Sequence, residues 1–249
     1  MNDEEYIALN PESSNIRDNT SRFSGAIWYE AIHEKTVTLA GLGGIGSYVG
    51  FLLARMNPAA MYIYDDDVVE TANMSGQLYS NSDVGERKAS ALARKMSQYS
   101  LYGSVYAYNT RFTEESNASD IMICGFDSMS SRSTFFEKWL ERVNEKDEEG
   151  KKHCLFIDGR LAAEELQVYC FTGDNQWAIN EYRNALFSDD QADPTVCSYK
   201  QTSYMANMIG SIIVNLFTNF VANEMLGFLG RELPFLTTYD GITMQLKLK

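Results

Sequence analysis

The chain of 249 residues is short of the residue types that mark several common chemistries. It has two histidines, His33 and His153, and neither stands in a motif, so imidazole acid–base catalysis has no evident seat. Its four cysteines, Cys124, Cys154, Cys170 and Cys197, include no C-x-x-C pair. That spacing points to neither a zinc knuckle nor a disulfide framework, and a reducing cytoplasm is the default compartment. Basic residues are scarce: 21 Lys plus Arg stand against 34 Asp plus Glu, for a net charge of -13. A nucleic-acid partner is not expected, because binding phosphates needs clustered Lys and Arg.

The acidic start M-N-D-E-E-Y-I-A-L-N has no positive segment followed by an apolar one, so no secretory signal is expected. A long unbroken apolar run is missing too. The most apolar stretch, 205–229, is interrupted by Asn207, Ser211, Asn215, Asn219 and Asn223. Spaced every four residues, these make one polar stripe on a helix, which suits a packed helix and not a membrane span.

What is present is an ordinary globular composition, 45% apolar and 22% charged, in a chain long enough for one large domain or two small ones. Residues 36–40 (T-V-T-L-A) read as a buried strand, 48–56 as a helix, and 61–64 as a second strand ending on three aspartates. Helix formers with apolar residues at helical spacing fill 84–99. Further strands are expected at 105–108, 121–125, 155–158 and 165–171, with a helix from 129 to 144. This alternation predicts a doubly wound, mainly parallel α/β sheet covered on both faces, with a C-terminal antiparallel extension. Residues 172–200 are polar, contain Pro194 and read as a long loop, followed by a long helix and an alternating T-M-Q-L-K-L-K tail. The charge run at 145–152 reads as a solvated loop.

Between the first strand and its helix lies A-G-L-G-G-I-G-S, residues 40–47. Glycines there let backbone N–H groups approach an anion, and the helix N-terminus adds unpaired donors and a positive dipole end. An acid at the end of the second strand suits ribose hydroxyls. A nucleotide is therefore expected, against the alternative of a tight turn with no ligand. A dehydrogenase would account for the glycines and one acid, but not for the residues that follow.

Those residues are ordered as G-x-G-G-x-G, then D-x-D-x-V (65–69), N-x-x-x-Q (73–77), G-x-x-K (85–88), and later G-F-D-S-M-S-S-R (125–132). The series resembles the ThiF/MoeB/HesA family, which includes the adenylation domains of ubiquitin-activating enzymes. The resemblance covers about residues 20–225. It implies one adenylation domain over 1–249: a nucleotide-binding core at 20–171, a crossover loop at 172–200, and a C-terminal helix and strands at 201–249. It also implies that a substrate carboxylate attacks the α-phosphate of ATP, giving an acyl-adenylate and pyrophosphate. The carboxylate would be the C-terminus of a ubiquitin-like protein or a peptide, and the assembly a homodimer to which the long apolar helix contributes. No membrane partner is implied.

By the same resemblance Gly41, Gly43, Gly44 and Gly46 hold the phosphates and Asp65 the ribose. Asp67, Asn73 and Gln77 lie around the nucleotide, Lys88 meets the triphosphate, and Asp127 holds Mg²⁺. A carboxylate is already ionised at neutral pH, so this nucleophile needs no general base. Lys88 also fits a solvated helix face, and Asp127 also fits a helix cap before Met129.

Three departures from the family stand out. Gly76 occupies the place of an arginine usual in N-x-x-R-Q, and Gly25, in R-F-S-G-A, that of a second arginine. Arg22, Arg87, Arg111, Arg132 and Arg160 are the candidate replacements; otherwise the chain is a nucleotide-binding pseudoenzyme or regulatory subunit. The third departure is the absence of the family's two C-x-x-C pairs, so no zinc is expected. Cys197 falls near the position where relatives carry a sulfur that accepts the acyl group. With Lys200 and a helix start nearby, its thiol suits nucleophilic work, while burial is the commoner use of cysteine. An NAD(P)-dependent oxidoreductase is the last alternative, and it leaves N-x-x-x-Q and G-x-x-K without a purpose.

Overall fold

The computed structural model describes residues 4–8, 22, 25–101, 104–187, 201–226 and 230–249, with backbone alone for 4–8. Nine strands among them form one sheet: β1 (Glu4–Ala8), β2 (Thr36–Ala40), β3 (Ala60–Tyr64), β4 (Ser104–Tyr108), β5 (Ile121–Cys124), β6 (Leu155–Ala162), β7 (Glu165–Thr172), β8 (Leu236–Asp240) and β9 (Gln245–Leu248). Their order is β1-β4-β3-β2-β5-β6-β7-β8-β9. The five central strands are parallel, and antiparallel pairs extend the sheet at both ends.

Alternation along the strands fills a core on each face. In β5, Ile121 and Ile123 point to one face and Met122 and Cys124 to the other; in β6, Leu155 and Ile157 oppose Phe156. The first face is covered by α1 (Gly44–Ala54), α2 (Lys88–Ser97) and α6 (Ser203–Leu226), the second by α3 (Met129–Asn144) and α5 (Gln176–Asn184). A strand buried on both sides reads as a continuous apolar run, which is why β2 and β5 are plain in the sequence.

Several expectations need correction. The helix expected from 48 begins at Gly44, so part of the glycine loop is its first turn. Residues 172–200 are not all loop, since α5 lies within them, capped by Asn175 Oδ1 accepting from Ala178 N at 3.1 Å. Its apolar residues Ala178, Ile179 and Tyr182 are buried, whereas its polar ones had masked the pattern. The charge run at 145–152 holds a short helix, α4 (Glu148–Lys151). Strand β1 was not foreseen, because an edge strand paired on one side alone needs no apolar signature.

Helix α6 is long and apolar enough to span a bilayer, but 67% of its apolar window is buried against α1 and the sheet. Its polar stripe is where the sequence puts it: Asn207, Ser211 and Asn215 are exposed. Asn219 and Asn223 donate to the carbonyls of Glu232 and Arg231 at 3.1 and 2.9 Å. The apolar face of α6 is therefore largely taken up inside the chain, while Tyr204 and Met225 on the same helix stay exposed.

Candidate functional site

From β2 the chain connects to β3 on one side, while β5 lies on its other side, so β2 and β5 form the switch point of the sheet. In open α/β sheets the crevice outside the strand ends at this point is where ligands bind. Here it is bordered by the glycine loop after β2 and by residues 125–128 after β5. The two approach closely because glycine stands on both sides. Gly41 has φ +80, and a Cβ there would lie 2.6 Å from Phe126 N and 2.7 Å from Gly125 C.

Asp65, at the end of β3, accepts from Leu42 N at 2.7 Å and from Asp67 N at 2.9 Å. It thereby ties the glycine loop to the D-D-D turn. Burial pushes its carboxyl above the usual value, against the pull of Lys88 and the two backbone donors. Lys88 begins α2 and is buried, with Nζ 2.7 Å from Asp67 Oδ2, so it is not a solvated lysine. Tyr79 donates its hydroxyl to Leu42 O at 2.8 Å. Burial and nearby carboxylates push its phenol well above the ordinary value, which keeps the proton on that donor.

Asn73 lies in a short 3-10 turn, Thr71–Ser75, and its Oδ1 accepts from Glu70 N at 2.8 Å. Gln77 N follows at 2.9 Å from Asn73 O. The Gln77 carboxamide reaches the loop, since a Cβ on Gly43 would be 3.7 Å from its Nε2, and its buried Oε1 has no hydrogen-bond partner. Asp127 is exposed just after β5 and makes no ion pair among the described residues. It is not the cap of α3; Ser128 is, accepting from Ser131 N at 3.3 Å. Cys197 and Lys200 lie outside the described residues, whereas Cys124, Cys154 and Cys170 are buried. Cys154 stands just before β6 and not within a strand.

A buried polar cluster behind the loop was not foreseen. Asp158 in β6 is fully buried and accepts from Arg132, from Arg160 Nε at 2.9 Å and from the Tyr182 hydroxyl at 3.0 Å. Arg132 also donates to Phe126 O, holding the backbone that carries Asp127. The sequence signal was D-G-R inside an otherwise apolar strand. Two of the five candidate cations, Arg132 and Arg160, are thus committed to Asp158. Arg87 donates to Asp66 O at 2.7 Å and Arg111 pairs with Asp66 at 3.4 Å, while Arg22 is exposed.

The donor set suits a nucleotide. Glycines bring no side chain of their own to the N-terminus of α1, a carboxylate stands at the end of β3, a buried amide oxygen has no partner among the described residues, and a lysine pairs with the turn after β3. Two clefts lie outside the crevice at the switch point. One of about 430 Å³ is at the opposite ends of the strands, around Lys35, Asp120 and His153. Another of about 390 Å³ runs from Gln77 past Tyr79 to Tyr99.

A model of the ThiF family matches residues 16–248. Ubiquitin-like modifier-activating enzyme 5 of Bombyx mori is 34% identical over 89 residues, 36% of this chain and 23% of that protein. A probable molybdopterin-synthase adenylyltransferase of Porphyra purpurea is 24% identical over 189 residues, 74% of this chain and 47% of that protein. The matches thus span less than half the length of these curated relatives. Among solved structures, PaaA superposes with a TM-score of 0.72 at 13% identity, covering 98% of this chain and 76% of that one. MccB of E. coli with ATP gives 0.64 at 14% identity, covering 95% and 70%. At these identities the likeness is one of fold.

Proposed function

The chain belongs to the ThiF family, and from that premise we propose that it is an ATP-dependent adenylyltransferase that activates a carboxylate. The substrate is the C-terminus of a ubiquitin-like protein or a peptide. Names among the relatives support this class: one is a ubiquitin-like modifier-activating enzyme, another a probable molybdopterin-synthase adenylyltransferase, and MccB has been solved both with ATP and with MccA. The observation that carries the proposal is the run of contacts from Lys88 to Asp67, from Asp67 to Asp65, and from Asp65 to the glycine loop at the switch point.

In the proposed reaction a carboxylate oxygen attacks the α-phosphorus. The new C–O–P linkage forms as the bond to the β-phosphate bridging oxygen breaks, and pyrophosphate leaves with that electron pair. Backbone N–H groups at Gly43 and Gly44 and the dipole of α1 bind the phosphates, Asp65 orients the ribose, and Lys88 offsets charge on the leaving group. Asp127 would hold Mg²⁺, which supplies charge neutralisation at the phosphates when bound. In a further step of this proposal the Cys197 thiolate attacks the acyl carbon, and a thioester forms as the C–O bond to AMP breaks and AMP leaves with its electron pair. A homodimer remains the proposed assembly, with its interface away from the buried face of α6.

Carboxylate-dependent exchange of labelled pyrophosphate into ATP, in the presence of Mg²⁺, tests this. Exchange is expected with a peptide or ubiquitin-like C-terminus and is expected to fall at least 100-fold in Lys88→Ala and Asp127→Ala. ATP binding with no exchange across a panel of such carboxylates would leave a pseudoenzyme instead.

A further inference from the structure

Position 76, where the motif has glycine and the family an arginine, is occupied in space by another residue. Gln201 lies just before α6, its backbone bridged to Ala163 at the β6–β7 turn. Its side chain runs across the sheet end to the glycine loop. A Cβ on Gly76 would be 3.0 Å from Gln201 Cγ and 3.2 Å from its Nε2. A Cβ on Gly44, the first residue of α1, would collide with the carboxamide itself. Gly44 is therefore needed for the amide to sit where it does, and a side chain at position 76 would press on it.

That place is chemically pointed. The carboxamide rests on the first turn of α1, where N–H groups and the dipole favour negative charge. It forms no hydrogen bond with any described residue, so its two amide donors are uncommitted. On the other side of the loop the Gln77 carboxamide lies against Gly43. Two amides thus bracket the loop.

We infer that Gln201 is a nucleotide-binding residue whose amide N–H groups take the place at the phosphates that the Gly76 position gives up. The contact comes from the start of α6, not from the turn after β3. A neutral donor replaces a cation, so the phosphate contact keeps its geometry and loses its charge. This inference rests on the ATP site proposed above.

The test is titration of the full-length protein with a fluorescent ATP analogue and Mg²⁺, alongside circular dichroism to confirm folding. Gln201→Met keeps the side-chain length and removes the amide. It is expected to weaken binding about 10-fold, the usual scale of a hydrogen bond to a charged group. Gln201→Glu should weaken it further by placing like charge at the phosphates. Gly76→Arg alone should also bind worse, because its side chain meets Gln201. Combined with Gln201→Ala it should bind at least as well as the original protein, since the arginine then has its space.

Unchanged binding in Gln201→Met, with the original protein binding normally, would overturn this inference alone. Tighter binding in Gln201→Met would do the same, by showing that the amide competes with phosphate. If the original protein binds no ATP, the site itself is misassigned and both proposals fall.

Discussion

Lys88 Nζ lies 2.7 Å from Asp67 Oδ2, and the two ends of that ion pair live in different surroundings. The lysine side chain is 7% exposed and the aspartate 65%. Removing either partner therefore has unequal consequences. Asp67→Ala strands a buried ammonium and is expected to cost about 3 kcal/mol in urea unfolding. Lys88→Met leaves Asp67 within reach of water but also takes from buried Asp65 the charge that opposes its burial, and should cost about 1 to 2 kcal/mol. If the two variants unfold at the same urea concentration, Lys88 is not held in a buried position by Asp67.

The cluster around Asp158 makes a second asymmetry. Asp158→Ala leaves Arg132 and Arg160 facing each other without their shared carboxylate, which is expected to cost about 3 to 5 kcal/mol. Arg132→Met keeps Asp158 bonded to Arg160 and Tyr182 but removes the donor to Phe126 O. Its main effect should be on pyrophosphate exchange, through the backbone that carries Asp127. Stability from urea titration and exchange rate, measured on both variants, separate the two roles. Loss of stability without loss of exchange in Arg132→Met would refute the second.

Acid should act on a different carboxylate. Asp83 is buried and accepts from Ser80 N and the Ser80 hydroxyl, each at 2.6 Å, and pairs with Lys95 at 2.6 Å and Arg94 at 2.8 Å. Burial by itself would raise its carboxyl, but Lys95 and Ser80 outweigh it and bring the pKa down to about 2. A depressed folded-state value means that the stabilisation is complete above the unfolded pKa near 3.8 and is lost as pH falls toward 2. The contribution is roughly 2 kcal/mol. Asp83→Asn should therefore be less stable than the original at pH 6 and converge with it near pH 2. A constant difference across that range would count against the assignment.

Much of the fold was legible because it rests on local pattern. Strands β2, β3 and β5 are short apolar runs, and α3 matches its expected limits, 129 to 144, because Ser128 caps it and apolar residues recur at helical spacing. The glycine loop and the acids after β3 were legible for a similar reason, since few other residues serve that backbone geometry. Helix α5 and strand β1 were not, because one hides its apolar face among polar residues and the other is a five-residue edge strand opening on two glutamates.

The site divides along the same line. Residue types and their order establish a glycine turn at the anion-binding end of a helix, an acid at the end of β3, and a lysine one motif later. Spacing along a chain carries that much, because each motif is local. Whether Lys88 is solvated, what Arg132 and Arg160 neutralise, and what fills the space at Gly76 are contacts between residues far apart in sequence. Arg132 meets Asp158 across 26 positions, and Gln201 reaches Gly76 and Gly44 from the far side of the crossover segment. Only packing of the sheet brings those groups together, and burial then sets their charge and their partners.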